Sequence, residues 1–449
     1  MGKYLDFVEE ISFVRVGGSK EEREVSEKIQ REIKEAAKAA GREDLVGERM
    51  PFTIPDGKVS KCEVSLEGEK LASVPFLRSG NIDRELKLVY LESGSDVHFA
   101  GAGDLSDCAV LLDGLTDEKV YKRLAAHHAA AFLIMQGKYY FSTEEASLYG
   151  RALRDHFSRN GRIPGFTITT ADAMRLVRML EEVECCETSC SKEAQNGTIE
   201  SGASTAEVGK KPVMVHLTLK QEDVERESQD IIAEIPGTDL AEEVIVLTGH
   251  YDSVPLGTGS WDNATGAAAL LGIFRHFAAH PARRTLRFIW CGSEELGLLG
   301  SKAYVAKHEE ELSKIMFCFN FDMCGTLLGS NHILVTGDKD LESFANQYCK
   351  LANYPAKLKA CVHSSDSAPF CDHNIPALGL SRETNTAEIH TIHDLMDTLS
   401  ERAMEKNVDF AIRMISDLSN AAVIPFKKEM PKERREELDK YFHRETKEA

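Results

Sequence analysis

Val244-Ile245-Val246-Leu247-Thr248-Gly249-His250-Tyr251-Asp252-Ser253 is an aliphatic run that stops on a histidine and an aspartate. Downstream the same pattern recurs. A helix-period segment over about 263–279 leads into Thr285-Leu286-Arg287-Phe288-Ile289-Trp290, and a second over about 296–312 leads into an apolar strand at 315–321. Continuous apolar strands alternating with helices imply a largely parallel sheet covered on both faces. Such sheets bind ligands beyond the carboxyl ends of their strands.

Candidate chemistry falls at those ends. His250 and Asp252 close the first strand, and at strand spacing residues i and i+2 face the same way, so Asp252 can orient a metal-binding imidazole at His250. Asp262 lies in Ser260-Trp261-Asp262-Asn263-Ala264-Thr265-Gly266, a turn that opens into a helix. Its two oxygens suit a bridge between cations, but taken alone it reads equally as a helix N-cap. Glu294 and Glu295 follow the strand ending at Trp290; acidic first-turn residues of a helix are the competing reading. Asp322 ends the strand 315–321, where a charge is costly unless paired or coordinating. His390 stands in Ile389-His390-Thr391-Ile392-His393-Asp394, with His393 as a rival ligand and Asp394 as a partner for the imidazole. His276, His280, His308, His332 and His373 read as ordinary surface or core histidines. Two histidines with at least three carboxylates favour zinc or a similar borderline ion over calcium or a thiolate site.

Composition narrows the classes further. The chain has 449 residues, 42% hydrophobic and 28% charged, with a formal net charge of −19. That size predicts two or three structural units of an ordinary globular protein. The acidic balance argues against nucleic-acid binding, which needs clustered cations on phosphates. No apolar run approaches a membrane span, and the start lacks a basic segment followed by an apolar one. With eleven scattered cysteines, an odd number, a cytoplasmic protein with reduced thiols is expected.

Elsewhere the signals are plainer. Residues 19–39 read as an amphipathic surface helix behind a Ser19/Glu22 capping box. Short strand-like runs at Lys87–Leu91, Cys108–Leu112 and Ala131–Met135, with a helix over 117–130, suggest a small separate unit. From Cys185 to Lys211 hardly an aliphatic residue occurs, so a flexible linker or loop is expected. Cys185, Cys186 and Cys190 lack a second Cys or His pair at metal spacing. The charged tail from Lys427, with Leu438 and Tyr441 as anchors, reads as a solvated helix or a frayed end.

In order, Gly249-His250-Tyr251-Asp252-Ser253, Asp262-Asn263-Ala264-Thr265-Gly266, Glu294-Glu295, Asp322-Met323-Cys324-Gly325 and His390-Thr391 resemble the M28 family of zinc exopeptidases, the aminopeptidase Y and aminopeptidase S relatives. The resemblance implies two zinc ions per chain, one held by His250, Asp322 and Asp262, the other by Glu295, His390 and the same Asp262. It makes Glu294 the general base and Asp252 the acid that supports the site beside His250. Gly17–Glu24 is similar to the family's opening helix, and Ser365–Phe370 with Asn374–Ala377 resembles its later pocket segment. Leu395 stands where the family more often has threonine after Asp394.

The fold then implied is α/β, with a mixed, mostly parallel central sheet flanked by helices of the zinc-exopeptidase (phosphorylase/hydrolase-like) kind. A smaller α+β unit resembling a protease-associated domain is inserted into it. Expected boundaries are 1–64 with 205–425 for the peptidase domain, 65–204 for the insert with its linker, and 426–449 for the tail. The expected activity is release of N-terminal amino acids, in which two cations about 3.5–4 Å apart lower the pKa of a shared water and polarise the peptide carbonyl. The implied partners are a peptide substrate, no nucleic acid and no membrane, with a homo-oligomer left open. Three alternatives stay open: a carboxypeptidase or dipeptidase of the same family, an inactive receptor or scaffold, and a single-zinc acyltransferase like glutaminyl cyclase.

Overall fold

The computed structural model describes residues 2–115, 117–137, 148–195, 211–385 and 389–444, with side chains described for all of these except 184–195. The chain forms two compact units, Met1–Ile54 with Arg226–Ala449, and Pro55–Glu225. The exchange points differ from the expected ones, at 54 against 64 and at 225 against 204. Both fall inside long strands, Gly47–Leu66 and Met214–Ile235, where composition gives no boundary signal.

The first unit is built on the expected strands. β1 (Leu240–His250) lies parallel to β2 (Arg284–Cys291) and to β3 (Ile315–Phe321). Beyond β3 come β6 (Ala377–Glu383), parallel to it, then β4 (Ser330–Thr336), antiparallel to β6, and β5 (Ala356–Ala360), parallel to β4. Residues 231–235 pair antiparallel with the other side of β2. The register sets His250 opposite Cys291 and Thr248 opposite Asn320. Three strands therefore end at one level, the first on His250 itself and the others one to four residues short of Asp322, Glu294 and Glu295.

Helices cover this sheet where the apolar period demands it. Ser19 caps α1 (Lys20–Ala39) by accepting from the Glu22 N–H at 3.1 Å, and Glu22 returns the bond to the Gly18 N–H at 2.7 Å. The serine half of the expected capping box is thus formed, while Glu22 bonds the residue before the cap and the Ser19 N–H donates to the Val16 carbonyl. Val25, Ile29 and Ile33 are buried along one face, and each such side chain contributes about 1.5–3 kcal/mol. α2 (Thr265–Ala279) is apolar nearly all round and buried nearly all round, as a central helix must be. Gly266 permits its start: a Cβ there would lie 2.3 Å from the Phe321 carbonyl oxygen.

Two expected elements differ. The helix predicted over 296–312 is α3 (Leu299–Lys307) followed by a tighter turn, Glu309–Lys314. It begins late because the Glu294 carbonyl accepts from Gly297 and Leu298 N–H groups in a turn that closes at Leu298, with φ +59°. The stretch expected as a loop from Cys185 begins as helix: Thr170–Gln195 is one helical segment, since its backbone period continues past the last aliphatic residues. Residues 196–210 lie outside the described residues. After α4 (Glu401–Asn420) the chain is not a frayed tail, because α5 (Lys432–Tyr441) buries Leu438 completely among Ile315, Phe370 and Ile375.

The second unit has its own mixed sheet. Residues 214–219 pair antiparallel with Ile82–Tyr90, followed in parallel by Cys108–Leu112, Ala131–Gln136 and Gly165–Thr169. One face packs on Val64, Leu86, Leu111 and Leu217, the other on Phe76, Tyr121 and Phe132. Among the described residues no helix is long and apolar enough to cross a membrane.

Candidate metal centre

At the carboxyl edge of β1, β2 and β3 the expected residues converge in two triads. His250, Asp262 and Asp322 form one; Asp262, Glu295 and His390 form the other, and within each triad the donor atoms lie within 4.8 Å of one another. Asp262 belongs to both. Its Oδ1 is 3.2 Å from His250 Nε2 and its Oδ2 is 3.2 Å from His390 Nε2. His390 Nε2 also lies 3.0 Å from Glu295 Oε2, and His250 Nε2 is 3.6 Å from Asp322 Oδ1. Of the two rivals in the last loop, His390 reaches the triad and His393 does not.

The competing readings of the carboxylates are excluded by geometry. Asp262 does not cap α2; Asn263 does that work, its Oδ1 accepting from Gly266 N–H at 2.8 Å and from Met323 N–H at 3.0 Å. Glu294 and Glu295 precede α3 by several residues and belong to a turn, so they do not serve its first turn. The backbone is held in the left-handed region at three points beside the site, Ser293, Met323 and His390, with φ of +54°, +58° and +59°. Non-glycine residues persist there only where surrounding contacts hold them, and they cluster at functional sites.

Supporting groups fix each ligand candidate. Buried Asp252 lies 3.3 Å from His250 Nδ1, and its two oxygens accept from Glu294 N–H at 3.0 Å and Glu295 N–H at 3.2 Å. One carboxylate thereby orients the imidazole and both glutamates, more than the supporting role expected of it. Ser365 Oγ donates to Asp322 Oδ2 at 2.8 Å and itself accepts from Asn320. Asp394 was expected to serve the imidazole of His390. It instead accepts from Trp261 N–H at 2.6 Å and Asp262 N–H at 3.0 Å, because the loop folds back over the bridging turn.

Several contributors escape sequence reasoning. Arg15 is fully buried, and its guanidinium donates to the carbonyls of Tyr251, Ile11, Phe13, Thr258 and Gly259. It ties the segment after His250 to the turn before Asp262. Burial pulls its pKa down to about 10 while Asp252, Asp394, Asp262 and Glu295 oppose the loss of charge. Glu22 accepts from Ser228, from Ser293 N–H and from Ser293 Oγ, and so anchors the residue before Glu294. Asp366, within the pocket-like segment, accepts from Ser301 Oγ at 2.7 Å, and burial raises its carboxyl to about 6. The signal for Glu22 was present only as a capping box, and Arg15 had none.

The charge balance of the site asks for cations. Burial raises the Glu294 carboxyl well above its usual range, and Asp366, Glu295 and Asp322 raise it further against His250. Glu295 rises to about 7, first through burial and then through Asp262. Burial opposes the charge on His390, yet hydrogen bonds to Asp262 and Glu295 push it up to about 11. Asp322 Oδ1 and Glu295 Oε1 are buried without a hydrogen bond. Carboxylate oxygens left in that condition, beside imidazole nitrogens and a shared aspartate, fit two divalent ions of the zinc type. His250, Asp262 and Asp322 would hold one, and Asp262, Glu295 and His390 the other.

A covered, mostly parallel sheet with candidate metal-ligand triads at its carboxyl edge is the arrangement of a metal-dependent hydrolase. Residues 230–415 match the model of Peptidase family M28, and this stretch of the chain is an M28 domain. Over 190 residues the chain is 31% identical to Leucine aminopeptidase 2 of Arthroderma otae, covering 40% of this chain and 38% of that protein. Over 187 residues it is 30% identical to Aminopeptidase YwaD of Bacillus subtilis, covering 37% and 39%. The chain thus spans about two fifths of the length of these curated relatives. Among solved structures, a zinc aminopeptidase from Bacillus subtilis superposes with a TM-score of 0.71 at 21% identity, over 95% of this chain and 98% of that one. An aminopeptidase from an Aneurinibacillus strain gives 0.69 at 21% identity, over 94% of both. These two likenesses establish the fold.

Proposed function

We propose that the chain is a two-zinc aminopeptidase that releases N-terminal amino acids. The observation that carries this is Asp262, one carboxylate facing both histidines of two triads, with Glu294 beside them on the same turn as Glu295. The names of the relatives, aminopeptidases in each case, support hydrolysis at the amino end.

Bound in the two triads, a pair of divalent ions supplies Lewis acidity toward water and the scissile carbonyl. The chain's own residues do the rest. Asp252 sets His250 with Nε2 toward Asp262 and Asp322, and its other contacts hold Glu294 and Glu295 in one backbone frame. The Glu294 carboxylate, raised by its buried setting, takes the proton of the attacking water and returns it to the leaving amine. Asp394 and Arg15 keep the bridging turn from shifting as charge develops.

Three further readings accompany the proposal. The second unit is a protease-associated-type insert, supported by its mixed sheet and by the helix Glu118–Ala126 between Cys108–Leu112 and Ala131–Gln136. A cytoplasmic location is supported by the described cysteines, none of which is in a disulfide. The partners remain a peptide substrate without nucleic acid or membrane, and a homo-oligomer is open.

The test is a panel of aminoacyl chromogenic substrates and amine-blocked peptides, run with and without chelator. Chelator-sensitive release from free amino ends is expected. Activity confined to blocked peptides would overturn the amino-terminal assignment.

A further inference from the structure

The first unit carries a second recess whose chemistry the proposed reaction does not use. It is an open groove of about 700 Å³ beside α4, lined by Arg382, Arg402, Lys406 and Arg413, with Leu327 at its lip and Asp409 as its one carboxylate. Tyr354 and Phe410 also line it, their rings stacked at 3.8 Å and 12°, and Tyr354 OH donates to Asn407.

Charge is what sets this groove apart. The chain carries 73 acidic against 54 basic residues, yet four cations and one carboxylate face this recess. Many arginines of the first unit bond carboxylates, as Arg31, Arg275, Arg287 and Arg444 do. Among the described residues no ion pair involves Arg382, Arg402, Lys406 or Arg413. Arg382 is fixed by donating to the Thr326 carbonyl at 2.7 Å and to Asn331 Oδ1 at 2.9 Å, while Arg402, Lys406 and Arg413 stand on the exposed face of α4. A solvated helix face is the plain alternative. That alternative does not account for four cations against one carboxylate converging on a groove, in a chain of the opposite net sign, with an apolar residue beside them.

The groove is also built on the loop that follows Asp322. Asn407 Nδ2 donates to the Cys324 carbonyl at 2.6 Å, Ser400 N–H to the Gly325 carbonyl at 2.9 Å, and Arg382 reaches Thr326. Arg382 itself sits near the end of β6, from which the chain runs on to His390. The loop after Asp322 therefore borders it, through Leu327 and Gly329.

We infer that this groove binds the acidic downstream part of a peptide whose amino end lies at the two triads, giving preference to peptides with carboxylate side chains beyond the first residues. The inference rests on the aminopeptidase reading for the position of the amino end. Carboxylates accept from Arg402, Lys406 and Arg413, and the peptide's apolar atoms lie against Leu327.

The zinc-loaded Glu294→Gln chain provides the test, with two pentapeptides bearing a free amine and a dye-labelled, amidated carboxyl end. One has glutamates at positions four and five, the other glutamines. Fluorescence anisotropy is expected to show tighter binding of the acidic peptide, and Arg402→Gln/Lys406→Gln to remove about two- to thirtyfold of that preference, the range of two exposed ion pairs. Lys34→Gln/Lys38→Gln, exposed on α1 and matched in charge, should keep it. Equal affinity for the two peptides, or an equal loss in the α1 variant, would overturn the assignment. If the unsubstituted chain cleaves neither peptide, the aminopeptidase reading fails, and the affinity ratio still decides the groove.

Discussion

The Asp394 carboxylate holds the main-chain N–H of Asp262 at 3.0 Å, so the loop that delivers His390 also sets the position of the aspartate both triads share. Trp261 N–H, at 2.6 Å, is the second half of this clamp. Asp394→Ala should therefore weaken metal binding at both triads, by about 10–100-fold, the usual effect of losing a group that orients a ligand. Competition titration against a chromogenic chelator measures it; an unchanged affinity would mean the clamp is passive.

His390 and His393 separate cleanly. His390→Ala should leave one tightly bound zinc per chain, since only the triad of Asp262, Glu295 and His390 is broken, while His393→Ala should leave two. Elemental analysis after desalting counts them.

Arg15 makes a different kind of prediction. Replacing it by Met takes a charge-assisted partner from five carbonyls, three of them in fully buried contacts. A cost of about 3 kcal/mol or more is expected in denaturant unfolding of the zinc-loaded chain. Arg15→Lys, with one ammonium in place of the fork, should recover only part of it.

Metal and pH are linked through the same groups. Without cations, His390 is raised to about 11 from 6.5, so its contribution to stability is complete below about 6.5 and disappears as pH climbs toward 11. Glu295, raised to about 7 from 4.5, also favours the protonated form in the fold and acts in the same direction. The chelated chain should thus melt lower at pH 8.5 than at pH 6 by calorimetry, and zinc binding near pH 7 should release protons. A melting temperature that rises over that interval would contradict these assignments.

Much of this was legible because it is local. The aliphatic runs ending at His250, Trp290 and Phe321 define strands by composition alone, and the candidate ligands follow each within a few residues. Asp262 was ambiguous by itself, as an N-cap and a bridge look alike until Asn263 is seen doing the capping. Arg15, Glu22 and Asp394 act on residues more than a hundred positions away, and no period in the sequence reports such contacts. The compact units exchange at positions that composition does not mark, for a related reason: the chain changes units within continuous strands, while the compositional shift at Cys185 belongs partly to a helix.

Glu294→Gln tests the central claim most directly, because it keeps the shape of the side chain and removes only its ability to accept a proton. The account predicts two zinc ions per chain, an unchanged fold, and turnover of an aminoacyl anilide reduced by about 10²–10⁴-fold. Turnover close to that of the unsubstituted chain, with both ions bound, would contradict it.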